Sequence, residues 1–373
     1  MADAGVDLAA IKAAIKKAGA SWEAAPNPIT SLTSEERIAR LGYVPEPGGE
    51  RSLEAREQMA AQRSAEVGLA SAIGAPASFD WRIYGGQNYV TSIKDQGNCG
   101  SCVAFGVTAS VETTLRVQQG APTLDVDLSE ASLWYCVAEA QQGRVCPGGM
   151  ATSGWSMSPA LNAFRDIGVP DDACFPYTAG DQACTQCSDW ASRATKITGW
   201  HEITSVADMK TWLSTRGALG TCFTVYDDFF GYTTGTYHHV WGNVAGGHCV
   251  CCIGYSDSGQ FWICKNSWGS SWGESGFFCI GYGQCGIDAG MWAIDGVSVP
   301  ITWKSNVTVS QTYASRDSQN AWAYFAGFGW RKIQPGTADG ITNMLALLVE
   351  ASTKNKTVTV RMDGSAVYQA YLL

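Results

Sequence analysis

Gln96-Gly97-Asn98-Cys99-Gly100-Ser101-Cys102 reads as a turn that runs straight into a helix. Val103, Val107, Val111 and Leu115 recur at helical spacing behind it, and Gly120 ends the pattern. Ser101 is the expected cap. Cys102 therefore falls in the first turn, where free amide N–H groups and the helix dipole favour a thiolate over a thiol. The thiolate is the nucleophilic form of the side chain, so this is a placement that cysteine chemistry requires. A cysteine at a helix start is more often simply buried or bridged, and the reading depends on what lies downstream.

Downstream, Gly246-Gly247-His248 opens an apolar strand from Cys249 to Tyr255. A second strand, Phe261 to Cys264, runs into Lys265-Asn266-Ser267-Trp268-Gly269. A thiol, an imidazole and a carboxamide, each at the end of a regular element, form a nucleophile, a base and a group that orients the base.

The motifs QGNCGSCVAF, CPGG, FPY, GGH and KNSWGSSWGESGFF stand here in the order of the papain family of cysteine peptidases, and residues 78–299 resemble that family. The resemblance implies an α+β fold of two lobes, the first helical and the second β-barrel-like. It implies Cys102 as nucleophile, His248 as base, Asn266 as the residue orienting the imidazole, and Gln96 as a donor to the oxyanion. Trp268 is implied as the shield of the His–Asn contact, with Trp272 beside it. Gly148 and Gly149 are implied to bind an extended peptide through their backbone, and Met150, Gly247 and Gly290 to line the substrate cleft. Their small or apolar character points to a hydrophobic P2 residue, with no obvious acid for a basic one. Val103 departs from the aromatic residue usual after the nucleophile. Neither a cofactor nor a metal is implied.

All fourteen cysteines lie between Cys99 and Cys285. The family register implies the pairs Cys99–Cys146 and Cys136–Cys184, and Cys174 and Cys187 flank the same loop as a third pair. Cys285 lacks its usual partner before His248. Cys222, Cys249, Cys251, Cys252, Cys264 and Cys279 fall on core strands and read as buried thiols. Zinc on Cys184-Thr-Gln-Cys187 is the weaker alternative, because no second pair of ligands completes it. His238 and His239 read as ordinary loop residues, or as lining for the far side of the cleft.

Residues 1–76 are charged, free of cysteine and helical in pattern, with Leu8, Ile11, Ile15 and Ala18 on one face and a Thr33/Glu36 capping box. They are too thinly apolar to hold a core of their own. Preceding a peptidase-like segment (77–299), they are expected to act as a propeptide, an intramolecular inhibitor cleaved between about 69 and 78. Residues 300–373 read as three strands, a helix and two strands, the order of a small OB-like barrel. Ile341, Leu345, Leu348 and Val349 are its expected buried stripe. Trp322, Tyr324, Phe328 and Trp330 read first as core filling and second as a surface for a glycan or protein ligand. Asn306 and Asn355 stand in glycosylation triplets.

The composition, 46% hydrophobic and 16% charged, excludes a disordered chain. A net charge of −9 argues against nucleic acid as a partner, and no apolar run suits a membrane span. The expected partner is a peptide or protein substrate, in an extracellular or acidic, lysosome-like compartment, though the N-terminus lacks a signal-peptide pattern. A peptide ligase or acyl transferase on the same scaffold, and a binding protein whose barrel does the targeting, remain open alternatives.

Overall fold

The computed structural model describes residues 5–46, 48–67, 74–146, 153–300, 302–316, 320–334, 337–364 and 366–372. The helix anticipated behind Cys102 spans Cys102–Gln118 and is buried along nearly its whole length. Val103, Val107, Val111 and Leu115 pack with Leu133, Trp134, Leu161 and Phe164 into a helical core. Val103, at the position where an aromatic residue is usual, is fully buried in that core. Ser101 stands at the N-cap without capping. Its hydroxyl instead bonds the Tyr177 hydroxyl at 2.8 Å, which leaves the first-turn amides free around Cys102.

The second lobe is an eight-stranded sheet. Its main path runs Lys196–Ile203, Met291–Ser298, Leu219–Tyr226, Val244–Ser256, Phe261–Lys265, Phe277–Gly281 and Thr236–Tyr237, and Ser78–Asp80 pairs with Val244–Ser256. The strand Val244–Ser256 is almost wholly buried, which explains its unbroken apolar run. It lies against the Cys102–Gln118 helix, so the two lobes meet along the elements that carry Cys102 and His248.

The opening segment forms helices Leu8–Ala18, Ser34–Ala39 and Leu53–Val67, the second with the expected capping box. Ile11, Trp22, Ile29 and Leu41 complete the apolar cluster of the sheet lobe, beside Phe229, Phe230, Tyr232 and Trp268. The leader thus borrows a core, as its sparse apolar residues require.

The C-terminal segment closes into a five-stranded barrel. Its strand order is Thr302–Ala314, Ala321–Phe325, Gly329–Ile333, Ala366–Leu372, Thr357–Met362, with the helix Ala338–Thr353 between the third and fourth strands of the sequence. Ala321, Ala323 and Phe325 point inward, so the alternation of the strand turns Trp322 and Tyr324 outward. Trp322, Tyr324 and Trp330 are half-buried or exposed and lie outside the barrel core, which corrects their reading as core filling, whereas the half-buried Phe328 packs against that core. Val349 is exposed as well; Met344 and Ala351 join Ile341 and Leu348 in the buried stripe. Gly329 and Gly364 abut Ala121 and Gln119, at the end of the long helix remote from Cys102. Seventeen residues of helix put the barrel contact about 25 Å from that cysteine.

All fourteen cysteines are described. Cys99–Cys146, Cys136–Cys184 and Cys174–Cys187 are bridged as anticipated. The two cysteines of the Cys184–Cys187 pair belong to different bridges, so they form no dithiolate site. A fourth bridge, Cys222–Cys249, overturns the reading of those two as thiols. They are cross-strand partners with Cα atoms 4.0 Å apart, a register that periodicity alone does not reveal. Cys285 is unbridged, as are Cys102, Cys251, Cys252, Cys264 and Cys279.

Candidate active site

His248 and Asn266 come from adjacent strands of the sheet, the first within Val244–Ser256 and the second just beyond Phe261–Lys265. His248 Nε2 lies 2.8 Å from Asn266 Oδ1. That oxygen also accepts the backbone N–H of Ser267 at 2.8 Å, which fixes it as the amide oxygen and makes Nε2–H the donor. His248 Nδ1 is then the unprotonated nitrogen, and it is buried without a hydrogen-bond partner. Trp268 covers the ring at a centroid distance of 4.8 Å and is braced by Trp272 at 5.0 Å and Phe230 at 5.7 Å.

Cys102 and His248 are both fully buried in this chain. Burial pushes the Cys102 thiol up to about 11, although the backbone amides of Cys249, Gly42, Val103 and Cys102 itself work in the opposite direction. Burial likewise pushes His248 down to about 4, against the hydrogen bond that its Nε2–H donates to Asn266. With the imidazole so acidic and the thiol so weakly acidic, both groups are neutral between those values. A thiolate–imidazolium pair needs the opposite order, so this arrangement is a silenced one.

The leader strand around Gly42 packs against these groups. Tyr43 N donates to Gly247 O at 2.9 Å, Val44 N to Trp155 O at 2.9 Å, and Trp155 N to Gly42 O at 2.7 Å. Gln96 Nε2 donates to the carbonyl of Arg40 at 3.0 Å and to that of Cys99 at 2.8 Å, while Gln96 Oε1 accepts from Ser267 Oγ at 2.7 Å. A leader carbonyl thus occupies the side-chain donor expected to serve an oxyanion.

Cys102, His248, Asn266, Gln96, Gly247 and Trp268 are therefore brought together, whereas Gly148, Gly149 and Met150 lie outside the described residues. Trp155 makes the backbone hydrogen bonds to the leader on this side of the cleft, with Gly154 packed close beside Gly42. Gly154 has φ of +82°, and a Cβ there would sit 2.5 Å from Gly42 O. Gly290 lies beside the Glu202 carboxylate, an acid contributed from a distant strand and missed in the sequence. His238 and His239 are half-buried loop residues; His239 stacks on Tyr226 and lies 3.2 Å from Asp228.

Residues 75–294 match the model of the papain family cysteine protease, and the chain belongs to that family. It is 35% identical over 293 residues to Cathepsin B-like CP3 of Giardia intestinalis, spanning 74% of this chain and 89% of that protein. Among solved structures it is similar to digestive procathepsin L2 from Tenebrio molitor larval midgut, with 25% identity, a TM-score of 0.59, and coverage of 77% of this chain and 88% of that one. The fold of proCathepsin B S9 from Trypanosoma congolense is also similar, at 22% identity, a TM-score of 0.61 and coverage of 77% and 96%. The chain is a cysteine peptidase in a proenzyme form. Among the described residues, no helix is long and apolar enough to cross a membrane.

Proposed function

We propose that this chain is an endopeptidase zymogen whose leader, residues 1 to about 76, is removed to open a cleft between residues of the 77–299 peptidase domain. Cys102 Sγ attacks the peptide carbonyl, and His248 Nδ1 first takes its proton and then delivers it to the leaving amine. Asn266 holds the imidazole in that tautomer, and Trp268 keeps water from their contact. Gln96 Nε2, released from Arg40, and the backbone N–H of Cys102 receive the developing oxyanion. Water attacks the thioester with His248 again as base, which regenerates the thiol. The unpartnered Nδ1 of a histidine whose Nε2 is committed to Asn266 is the observation that carries this reading. Val44 and Tyr43, paired with Trp155 and Gly247, support an extended substrate held by the same backbone groups. The buried Tyr43 ring supports a large P2 side chain with an apolar stem. Four disulfides support an oxidising compartment, extracellular or lysosome-like.

The test is to incubate the full chain with reductant between about pH 4 and 7, following loss of the leader by mass and labelling by an epoxide inhibitor of cysteine peptidases. Cys102→Ala is expected to abolish labelling and self-cleavage. Labelling that survives this substitution defeats the mechanism.

A further inference from the structure

The outer face of the barrel strands Thr302–Ala314, Ala321–Phe325 and Gly329–Ile333 is aromatic. Cross-strand register places Tyr313, Trp322 and Lys332 in one row and Gln311, Tyr324 and Trp330 in the next. Their neighbours Ala323, Phe325 and Arg331 are buried, so strand alternation turns both rows out of the barrel together. Tyr313 is 52% exposed and Trp330 38%. With strands about 4.8 Å apart and same-face residues about 7 Å apart, the Cβ atoms of both rows fall within about 10 Å by 7 Å. The rings are held in place. Trp322 Nε1 donates to Asn320 Oδ1 at 2.8 Å, and Asn320 Nδ2 to Ser315 Oγ at 2.8 Å. Tyr324 and Trp330 meet edge to face with centroids 5.7 Å apart. Large side chains fixed before a ligand arrives lose little entropy when it binds.

The size and chemistry of this face select its occupant. At about 200 Å² for a whole aromatic side chain, the four rings expose about 300 Å². That is well short of the ~800 Å² that each partner contributes to a stable protein interface. One lysine in the two rows does not supply the line of cations along which a nucleic-acid strand lies. No aliphatic side chain stands in either row; the rings are bordered by the carboxamides of Gln311 and Asn320, the tyrosine hydroxyls and the Lys332 ammonium. A sugar ring matches this set. The polarised C–H bonds of its face lie on the negative face of an aromatic ring, and its hydroxyls reach the polar groups around the rim. The barrel meets the peptidase part at Ala121 and Gln119, about 25 Å from Cys102, so a ligand here is a handle and not the bond that is cut.

We propose that this face binds the uncharged glycan of a glycoprotein and so holds that protein near the cleft as a substrate; the substrate part rests on the peptidase reading above, and the glycan part does not. A polypeptide tethered by its glycan meets the cleft at a raised local concentration, with no new contact at Cys102.

The test measures binding of the intact chain at pH 7.5 to an immobilised glycoprotein bearing high-mannose N-glycans, before and after their enzymatic removal. The glycosylated form is expected to bind at least tenfold more tightly, with soluble mannotriose competing. Trp330→Ala and Trp322→Ala, each checked for an unchanged melting temperature, are expected to erase that preference. Tyr371→Ala, exposed on a barrel strand outside these rows, is expected to keep it. Equal binding of the two forms, or a preference that survives both tryptophan substitutions, overturns the assignment. Displacement of the glycoprotein by single-stranded oligothymidine, or a dimer in sedimentation that Trp330→Ala dissolves, overturns it in favour of nucleic acid or a second copy. Retention on β-glucan beads without preference between the two forms overturns the glycoprotein as source. In the processed enzyme, with active sites counted by the epoxide label, removing the glycans from an unfolded substrate is expected to raise KM at least threefold, and Trp330→Ala to abolish the difference. A labelled enzyme that cuts both forms alike overturns the substrate part. A processed chain that takes no label defeats the peptidase reading and leaves the binding result standing.

Discussion

Gly42→Ala is expected to unlock the intact proenzyme. A Cβ on Gly42 would lie 1.8 Å from Gly100 O, 2.3 Å from its carbonyl carbon and 2.7 Å from its Cα. All three are backbone atoms of the turn that delivers Cys102, so no side chain can move aside, and the leader strand must lift. Lifting breaks the bonds Tyr43 N to Gly247 O, Val44 N to Trp155 O and Trp155 N to Gly42 O. At about 1 kcal/mol net each, the closed state of this segment loses about 3 kcal/mol, or roughly a hundredfold in its closing equilibrium. Lifting also restores water to Cys102. At the thiol value of about 11 in the closed chain, only about one molecule in ten thousand carries a thiolate at neutral pH. The assay is the rate of epoxide labelling at pH 7.5, over times short enough for mass spectrometry to find the leader uncleaved. Labelling of a folded Gly42→Ala chain is expected to be tens of times faster than that of the unsubstituted chain. A rate within twofold would show that this strand is not what silences the thiol.

Acid is expected to loosen the leader through His248. Its value of about 4 when buried is below the ordinary 6.5, so the open, hydrated state binds the proton more readily. Stabilisation of the closed state by this group is complete above about 6.5 and falls by roughly 3 kcal/mol as the pH drops toward 4. Glu50, raised by its own burial against Ser158, works in the opposite sense, since the closed state holds its proton more tightly. Labelling of the intact chain, normalised to the processed enzyme at each pH, should rise through that window; a flat profile refutes the dominance of His248. Asn266→Ala in the processed enzyme should lower kcat about 10–100-fold with little change in KM, as the imidazole loses its orientation. Loss expressed in KM alone would assign Asn266 to binding instead. Leu348→Ala, at a fully buried position of the barrel helix, should cost about 2–5 kcal/mol in a thermal or denaturant transition of the barrel. Labelling of Cys102, about 25 Å from the barrel contact, should persist.

Much of the architecture was legible because it rests on local rules. The helix behind Cys102 follows from the spacing of its valines, the capping box from Thr33 and Glu36, and the barrel order from alternating strands around one amphipathic helix. Two disulfides followed from the family resemblance, and a third, Cys174–Cys187, from the two residues flanking one loop. The fourth did not, because Cys222 and Cys249 are joined by strand register, and a shift of one residue would have turned them to opposite faces. The outward turn of Trp322 and Tyr324 was equally hidden, since the inward residues beside them are small alanines that a hydrophobicity pattern weights lightly.

By itself, the sequence determined the chemistry available to this protein: a cysteine in a helix's first turn, a histidine in one apolar strand and an asparagine just beyond another, and a leader sparse in apolar residues. These depend on residue type and short-range spacing. Only the tertiary structure decided that the chemistry is held off. Gly42 at the Cys102 sulfur, the Arg40 carbonyl on Gln96, and the burial that drives thiol and imidazole apart all come from segments distant in sequence. The same holds for Glu202 above Gly290, 88 positions away in the chain and brought into contact by one strand pairing. Ionisation and pocket charge are properties of surroundings, and surroundings exist only once the chain has folded.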